Sequence, residues 1–192
     1  GIVTRAQTAL VLGVAGGAAI RQLLVYGAIT HIDGVDLDEQ KLALGRAHFG
    51  LDDPRVHLHH ADARDFVAKG PKRYDVIVDD VFLEVDGEPR RAIRYDAAWG
   101  RAVMRRLSPR GVLVVNSAGR HETRQSVLVD PRFTSRFANV LELRTETAGN
   151  IVHVCTRRPL DAVTFRRAAR AALGADASRL RLTARTLATR AR

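Results

Sequence analysis

Residues 10–20 read LVLGVAGGAAI and continue into RQLL. Leu10 to Leu12 form the apolar run of a buried strand, and Gly13, Ala15, Gly16 and Gly17 then make room for a tight turn. From Ala18 the residues suit a helix. Strand, small-residue turn and helix in that order open an α/β unit, and such a turn lies where the ligand crevice of a wound sheet forms. A dinucleotide fold asks for G-x-G-x-x-G/A. The matching positions are Gly13, Ala15 and Ala18, so an alanine stands where the backbone must approach a pyrophosphate. The turn admits a close ligand but suits a pyrophosphate poorly, which argues against a nicotinamide enzyme.

Outward from this unit, strand and helix patterns alternate, the signature of a parallel sheet flanked by helices. Strands are predicted at about 9–14, 31–36, 55–60, 74–80 and 111–116. Helices are predicted at 17–26, 38–49, 62–69 and 95–107, the last stopped by Pro109 and Gly111 in SPRG. Two more strands, near 139–146 and 151–157, flank TAGN, a turn short enough for an antiparallel hairpin. The expected fold is α/β, a doubly wound Rossmann-like sheet of seven strands, mostly parallel, with a C-terminal antiparallel hairpin. It occupies residues 1–158, and an Arg-rich helical extension, 159–192, follows it as one or two helices around a break at Gly174–Ala175–Asp176.

At 192 residues the chain is expected to be one domain with a substantial core. Its longest apolar stretch, 9–27, is broken by Arg21 and four glycines, and no basic-then-apolar leader pattern opens it. The single cysteine, Cys155, cannot form an internal disulfide, excludes a zinc cluster of several cysteines, and is expected to be buried, not a nucleophile. A cytoplasmic protein with no membrane partner is the expectation. The net charge is +10, and residues 157–192 supply +8 of it, ten arginines against Asp161 and Asp176. Solvated helices explain that tail most simply; contact with nucleic acid or an acidic partner is the other reading.

Acids end one predicted strand after another. Asp36, in VDLDEQ, lies 19 residues after Gly17, about where a carboxylate meets the ribose hydroxyls of an adenosine. Asp38 suits the cap of the next helix. Asp62 follows the third strand in HHADARDF, and Asp79–Asp80 close the fourth in DVIVDD. Carboxylates at successive carboxyl ends converge on one crevice. Together they suggest an adenosine-containing ligand without pyrophosphate, and S-adenosylmethionine (SAM) or a relative with a positive sulfonium fits.

Residues 35–67, VDLDEQKLALGRAHFGLDDPRVHLHHADARDFV, followed by YDVIVDDVF (74–82), SPRGVLVVN (108–116) and AGNIVHVCT (148–156), resemble the spermidine synthase family. These polyamine aminopropyltransferases are relatives of the class I SAM-dependent methyltransferases, and the resemblance runs from about residue 9 to 157. It implies the class I fold and SAM or decarboxylated SAM as co-substrate, with no metal. The implied acceptor is a small amine or polyamine, and a homodimer is one option. Asp36, with Leu37 beside it, would take the ribose hydroxyls. Asp62 and Ala63 would take the adenine, and Gly13, Ala15, Gly16 and Gly17 the methionine-derived end. Asp80, also next to the co-substrate, would help deprotonate the attacking amine. Two family acids are replaced: Gly16 stands for the Asp that holds the aminopropyl amine, and Leu83 for the second acid of D-x-x-D. The family's N-terminal β-domain lies outside these residues. The replacements favour methyl transfer as the competing reaction, and a non-catalytic binding module that uses the basic tail is a third reading.

Alkyl transfer from a sulfonium needs an acceptor atom held in line and water kept out. A protonated amine also needs a carboxylate to take its proton. Strand alternation points Asp79 and Asp80 to opposite faces, so one of them should look into the site. Residues 79–88, DDVFLEVDGE, hold five acids and would attract a cationic acceptor, or else form a solvated loop balanced by Arg90, Arg91 and Arg94. Tyr95 and Trp99 would wall an acceptor pocket or pack in the core. His57 and His59 share a strand face without a third metal ligand at suitable spacing. His121 is a weaker candidate for a base over the crevice.

Overall fold

In the computed structural model, which describes residues 5–26, 28–145, 149–174 and 183–189, the first strand, β1 (Thr8–Leu12), is central and buried on both faces. It pairs in parallel with β2 (His31–Asp36) on one side and with β4 (Tyr74–Asp79) on the other. Beyond β2 lies β3 (Val56–His60), and beyond β4 lies β7 (Leu107–Ser117), both parallel to their neighbours. The winding reverses between β1 and β4, so the connections that leave their carboxyl ends run to opposite faces of the sheet and open a crevice there.

The far side of the sheet is antiparallel. Strand β9 (Ile151–Thr156) lies against β7, and β8 (Asn139–Arg144) against β9. An eighth strand, β10 (Thr183–Thr189), then pairs with β8 to give the order β10-β8-β9-β7-β4-β1-β2-β3. This corrects two expectations: the sheet has eight strands, not seven, and the tail beyond α7 (Ala162–Leu173) returns as a strand where a second helix was expected. Ala and Arg favour helices locally, but β8 offers an unpaired edge and a buried carboxylate. Glu142 in β8 is 3% exposed and accepts from Arg144 Nε (2.7 Å) and from Arg185 Nε and Nη2 in β10 (2.8 and 3.1 Å). Residues 147–148 of the expected TAGN turn (147–150) and Ala175–Asp176 of the expected break at 174–176 fall outside the described residues.

The acidic stretch also departs from a plain loop. Strands β5 (Phe82–Val85) and β6 (Glu88–Arg91) form a separate antiparallel hairpin. Asp86 and Gly87 turn it with φ of 55° and 78°, the pair of positive angles that a two-residue Asp-Gly turn needs.

Helices cover both faces. On one side α1 (Ala18–Tyr26) and α2 (Glu39–His48) bury Ile20 and Leu42 against Ala9, Val11, Ile32 and Val76. On the other α3 (Ala63–Lys69) and α4 (Ala97–Arg106) pack Val67, Trp99 and Val103 against Leu10, Leu12, Ile77 and Leu113. Asp38, Asp62, Asp96 and Asp161 cap α2, α3, α4 and α7. Two short helices, α5 (Arg120–Gln125) and α6 (Pro131–Thr134), follow β7. Among the described residues no helix is long and apolar enough to cross a membrane.

His153 in β9 is fully buried opposite Val115 and Glu142, with neither ring nitrogen hydrogen-bonded. Burial is the main cause that pulls its pKa from 6.5 to about 4, with Glu142 opposing and Arg144 and Arg185 assisting. The unfolded chain therefore takes up a proton that the fold refuses between those values. The stability that neutral His153 confers is present above pH 6.5 and is lost as the pH falls towards 4, by roughly 3 kcal/mol in total. Urea denaturation from pH 7 to pH 4 should show this loss, and His153→Leu should remove most of it.

Candidate functional site

The crevice begins at the turn after β1. Gly13 has φ +81°, and a Cβ there would lie 2.1 Å from the Asp80 carbonyl oxygen, so only glycine lets the ends of β1 and β4 come this close. Its N–H donates to the Val35 carbonyl (2.9 Å), and the Asp80 N–H donates to the Leu12 carbonyl (2.8 Å). One carboxylate then ties the turn to β2. Asp36 Oδ2 accepts from the Val14 and Ala15 N–H groups (2.8 and 3.0 Å), and Oδ1 accepts from Asp38 N–H (3.0 Å). Gly17, with φ +73°, is buried against Leu51 where α1 starts.

The carboxyl ends of β1, β2 and β3 and the hairpin strand β5 bound a pocket of about 130 Å³. Gly13, Asp36, Leu37, Asp62 and Ala63 line it, and Phe82 and Leu83 close its outer wall. Five of the sequence-derived candidates thus meet. Ala15, Gly16 and Gly17 do not line the pocket: Ala15 and Gly16 are exposed, and Gly17 serves helix packing. Ala15 sits at φ +45°, which disfavours any side chain. Asp62 Oδ1 accepts from Arg64 N–H (2.6 Å) at the start of α3, and its other oxygen takes no hydrogen bond among the described residues.

The adjacent aspartates part company. Asp80 is half-buried, adjoins the pocket through its carbonyl against Gly13, and accepts from Asn116 Nδ2 at the end of β7 (2.7 Å). Asn116 in turn accepts from Asn150 Nδ2 (3.1 Å). Asp79 is wholly buried on the α4 side, bonded to Arg91 and to Trp99 Nε1 (2.6 Å). Burial pushes its carboxyl above the ordinary range, against the pull of the Arg91 charge and the Trp99 donor. Arg91, the last residue of β6, also donates to the Asn116 carbonyl (2.6 Å), reaches Glu122 (3.5 Å), and lies over the Phe82 and Tyr95 rings. Trp99 and Tyr95 are thus core residues around Asp79 and line no part of the pocket. Sequence reasoning missed Asn116, whose only hint was the family-like end of SPRGVLVVN, and named Arg91 only as one of three arginines balancing residues 79–88, without its buried pairing to Asp79.

Glu84, Asp86 and Glu88 stand exposed on the hairpin, and neither Arg90 nor Arg94 pairs with them among the described residues. Cys155 is buried, which pushes its thiol pKa up. His57 stacks on His31 (4.3 Å), His59 Nε2 meets Asp33 Oδ1 (2.8 Å), and His121 pairs with Gln125 (2.9 Å). Burial works to raise the Asp33 pKa, but bonds from Lys72, His59, Tyr74 and His31 hold it well below the usual carboxylate range.

Residues 2–142 match the family model described as the spermine/spermidine synthase domain. The chain is 32% identical over 112 residues to polyamine aminopropyltransferase 2 of Pseudomonas aeruginosa, covering 55% of this chain and 32% of that one. It spans about a third of the length of the curated relatives it matches, 32%, 31% and 37% for the first three. Among solved structures, a probable spermidine synthase from Corynebacterium glutamicum superposes with a TM-score of 0.72 at 21% identity, covering 94% of this chain and 66% of its own. Human methyltransferase-like protein 13, solved in complex with SAH, gives 0.67 at 24%, covering 86% and 79%.

Removing Arg91 would leave Asp79 buried without its counter-charge. Arg91→Met should lower stability by about 3–5 kcal/mol, read by chemical denaturation, and Arg91→Met/Asp79→Leu should recover much of that loss.

Proposed function

The chain belongs to the spermine/spermidine synthase family, and from that membership we propose that it is an alkyl transferase moving an aminopropyl group from decarboxylated SAM to an amine of the polyamine kind. The observation that carries this reading is the meeting of Gly13, Asp36 and Asp62 in one pocket, with Asp80 at its margin. Asp36 and Asp62 are acceptor-only groups when ionised, and an adenosine offers donors to both: ribose hydroxyls and the adenine amino group. A carboxylate has about four acceptor positions, and backbone N–H groups already take three at Asp36. One ribose hydroxyl fits as the turn stands, and a second requires Val14, Ala15 or Asp38 to release its bond.

A bound S-adenosyl sulfonium would supply an electrophilic carbon and a neutral thioether leaving group. The acceptor nitrogen bonds to that carbon as the carbon–sulfur bond breaks, and the electron pair stays on sulfur. Asp80 takes the proton that the amine gives up, and the Asn116 amide orients the carboxylate for it. Glu84, Asp86 and Glu88, unpaired on the hairpin among the described residues, raise the local concentration of a cationic acceptor.

Methyl transfer from SAM is the second reading, favoured by two positions. Gly16 has no side chain and so offers no carboxylate to hold the aminopropyl amine, and Leu83 puts an apolar side chain on the pocket wall.

Calorimetric titration with SAM and, separately, decarboxylated SAM decides between them. Preference for the decarboxylated form supports aminopropyl transfer, preference for SAM supports methyl transfer, and binding of neither rejects both in favour of a non-catalytic module. Asp36→Ala should weaken whichever ligand binds at least tenfold. Asp80→Asn should leave that affinity within about twofold while cutting turnover by about 10²-fold or more, the contribution expected of a general base.

A further inference from the structure

A second concavity opens at the other end of the strands. Arg73, Arg101, Met104, Arg105, Arg136 and Arg157 line it, a shallow bowl of about 430 Å³. The topology gathers these residues from distant points of the chain. Arg73 immediately precedes β4, and Arg136 lies just before β8. Arg101 and Arg105 sit one turn apart on α4. Arg157 follows β9, whose reversed direction brings its carboxyl end to the amino-terminal edge of the parallel strands. The pocket with Asp36 and Asp62 lies at the opposite edge.

Five guanidinium groups share this bowl and no carboxylate lines it. Among the described residues none of the five is in an ion pair, and the single side-chain bond is from Arg157 Nη1 to the Ser108 carbonyl (3.2 Å). Like charges this close repel one another, and the i,i+4 pair on α4 adds repulsion within one helix. Elsewhere the fold answers buried charge from within, as Asp79 does for Arg91 and Glu142 for Arg144 and Arg185. In the bowl, where Arg157 is half-buried and the other four arginines are exposed, the described residues supply no counter-ion. Partial burial, with Arg73 nearby, pulls the Arg157 pKa down, a cost that a bound anion would relieve.

The side-chain chemistry narrows the anion. Guanidinium groups present planar forks that match phosphate oxygens two at a time. A single open concavity of about 430 Å³ lined by six residues suits a compact ligand, whereas a nucleic-acid backbone is met by a groove or stripe that tracks it. We propose that this bowl binds a compact, multiply charged phosphate anion, a polyphosphate group either free or carried by a nucleotide. This inference is independent of the transferase reading.

The test is calorimetric titration of the 192-residue chain with inorganic pyrophosphate, ATP and a short DNA duplex, beside Arg101→Gln/Arg105→Gln/Arg136→Gln. Those three side chains are exposed and bond to nothing else among the described residues, so thermal melting of the variant should match the parent. Saturable one-site pyrophosphate binding, weakened at least tenfold in the variant while its affinity for SAM or decarboxylated SAM is unchanged, is the expected result. ATP competing with pyrophosphate would identify a nucleotide as a source, and failure to compete would leave the free anion. No saturable pyrophosphate binding, or equal binding by parent and variant, overturns the proposal. Binding of the duplex that pyrophosphate does not displace overturns it in favour of nucleic acid.

Discussion

The buried Arg91–Asp79 pair joins parts of the fold that no local interaction would align. Arg91 ends the hairpin strand β6, Asp79 ends β4, and the same guanidinium holds the Asn116 carbonyl at the end of β7 and faces Glu122 on α5. The hairpin is thereby held against the crevice, where Phe82 and Leu83 become the pocket's outer wall. Asn116 is fixed through its main chain by Arg91 and through its side chain by Asp80. A buried ion pair of this kind adds little to net stability, because desolvation offsets most of the attraction. Its contribution is geometric: with both partners buried, any displaced arrangement leaves a charge without water or partner.

On the ligand side, the crevice is defined by economy of backbone. Gly13 permits the ends of β1 and β4 to approach until no Cβ fits between them, and Asp36 gathers the N–H groups that the turn leaves open. The carboxylate that holds the turn in shape is also the one a ribose would address. Under the proposed function, ligand capture and turn geometry would be coupled through this single side chain, which holds the N–H of Ala15, a residue at positive φ.

Two charge clusters sit at opposite ends of the sheet. Asp36, Asp62 and Asp80 gather at the carboxyl edge with the acidic hairpin beside them, and five arginines gather at the amino edge. The net charge of +10 says nothing of this separation. Nor did the +8 tail turn out to be simply a solvated helical face. Arg185 completes a buried carboxylate, Arg166 caps the Ala184 carbonyl (2.8 Å), and Arg157 enters the bowl.

Periodicity made the wound sheet legible. Apolar runs of five or six residues alternating with helical patterns leave few topologies open, and the acids at strand ends had to share an edge because parallel strands all point the same way. Asp36, Asp62 and Gly13 could thus be named from the chain alone, and the alternation that separates Asp79 from Asp80 is a local property of any strand. The hairpin at 82–91 was legible in its Asp86–Gly87 turn but hidden by its acids. What only the tertiary structure decided were the long-range partners: Arg91 for Asp79, Asn116 for Asp80, β10 on the open edge of β8, and the arginine bowl. The physical reason is common to all four. Each depends on which remote segment supplies a counter-charge, a donor or a strand edge, and local sequence pattern encodes the demand for a partner without encoding which residue meets it.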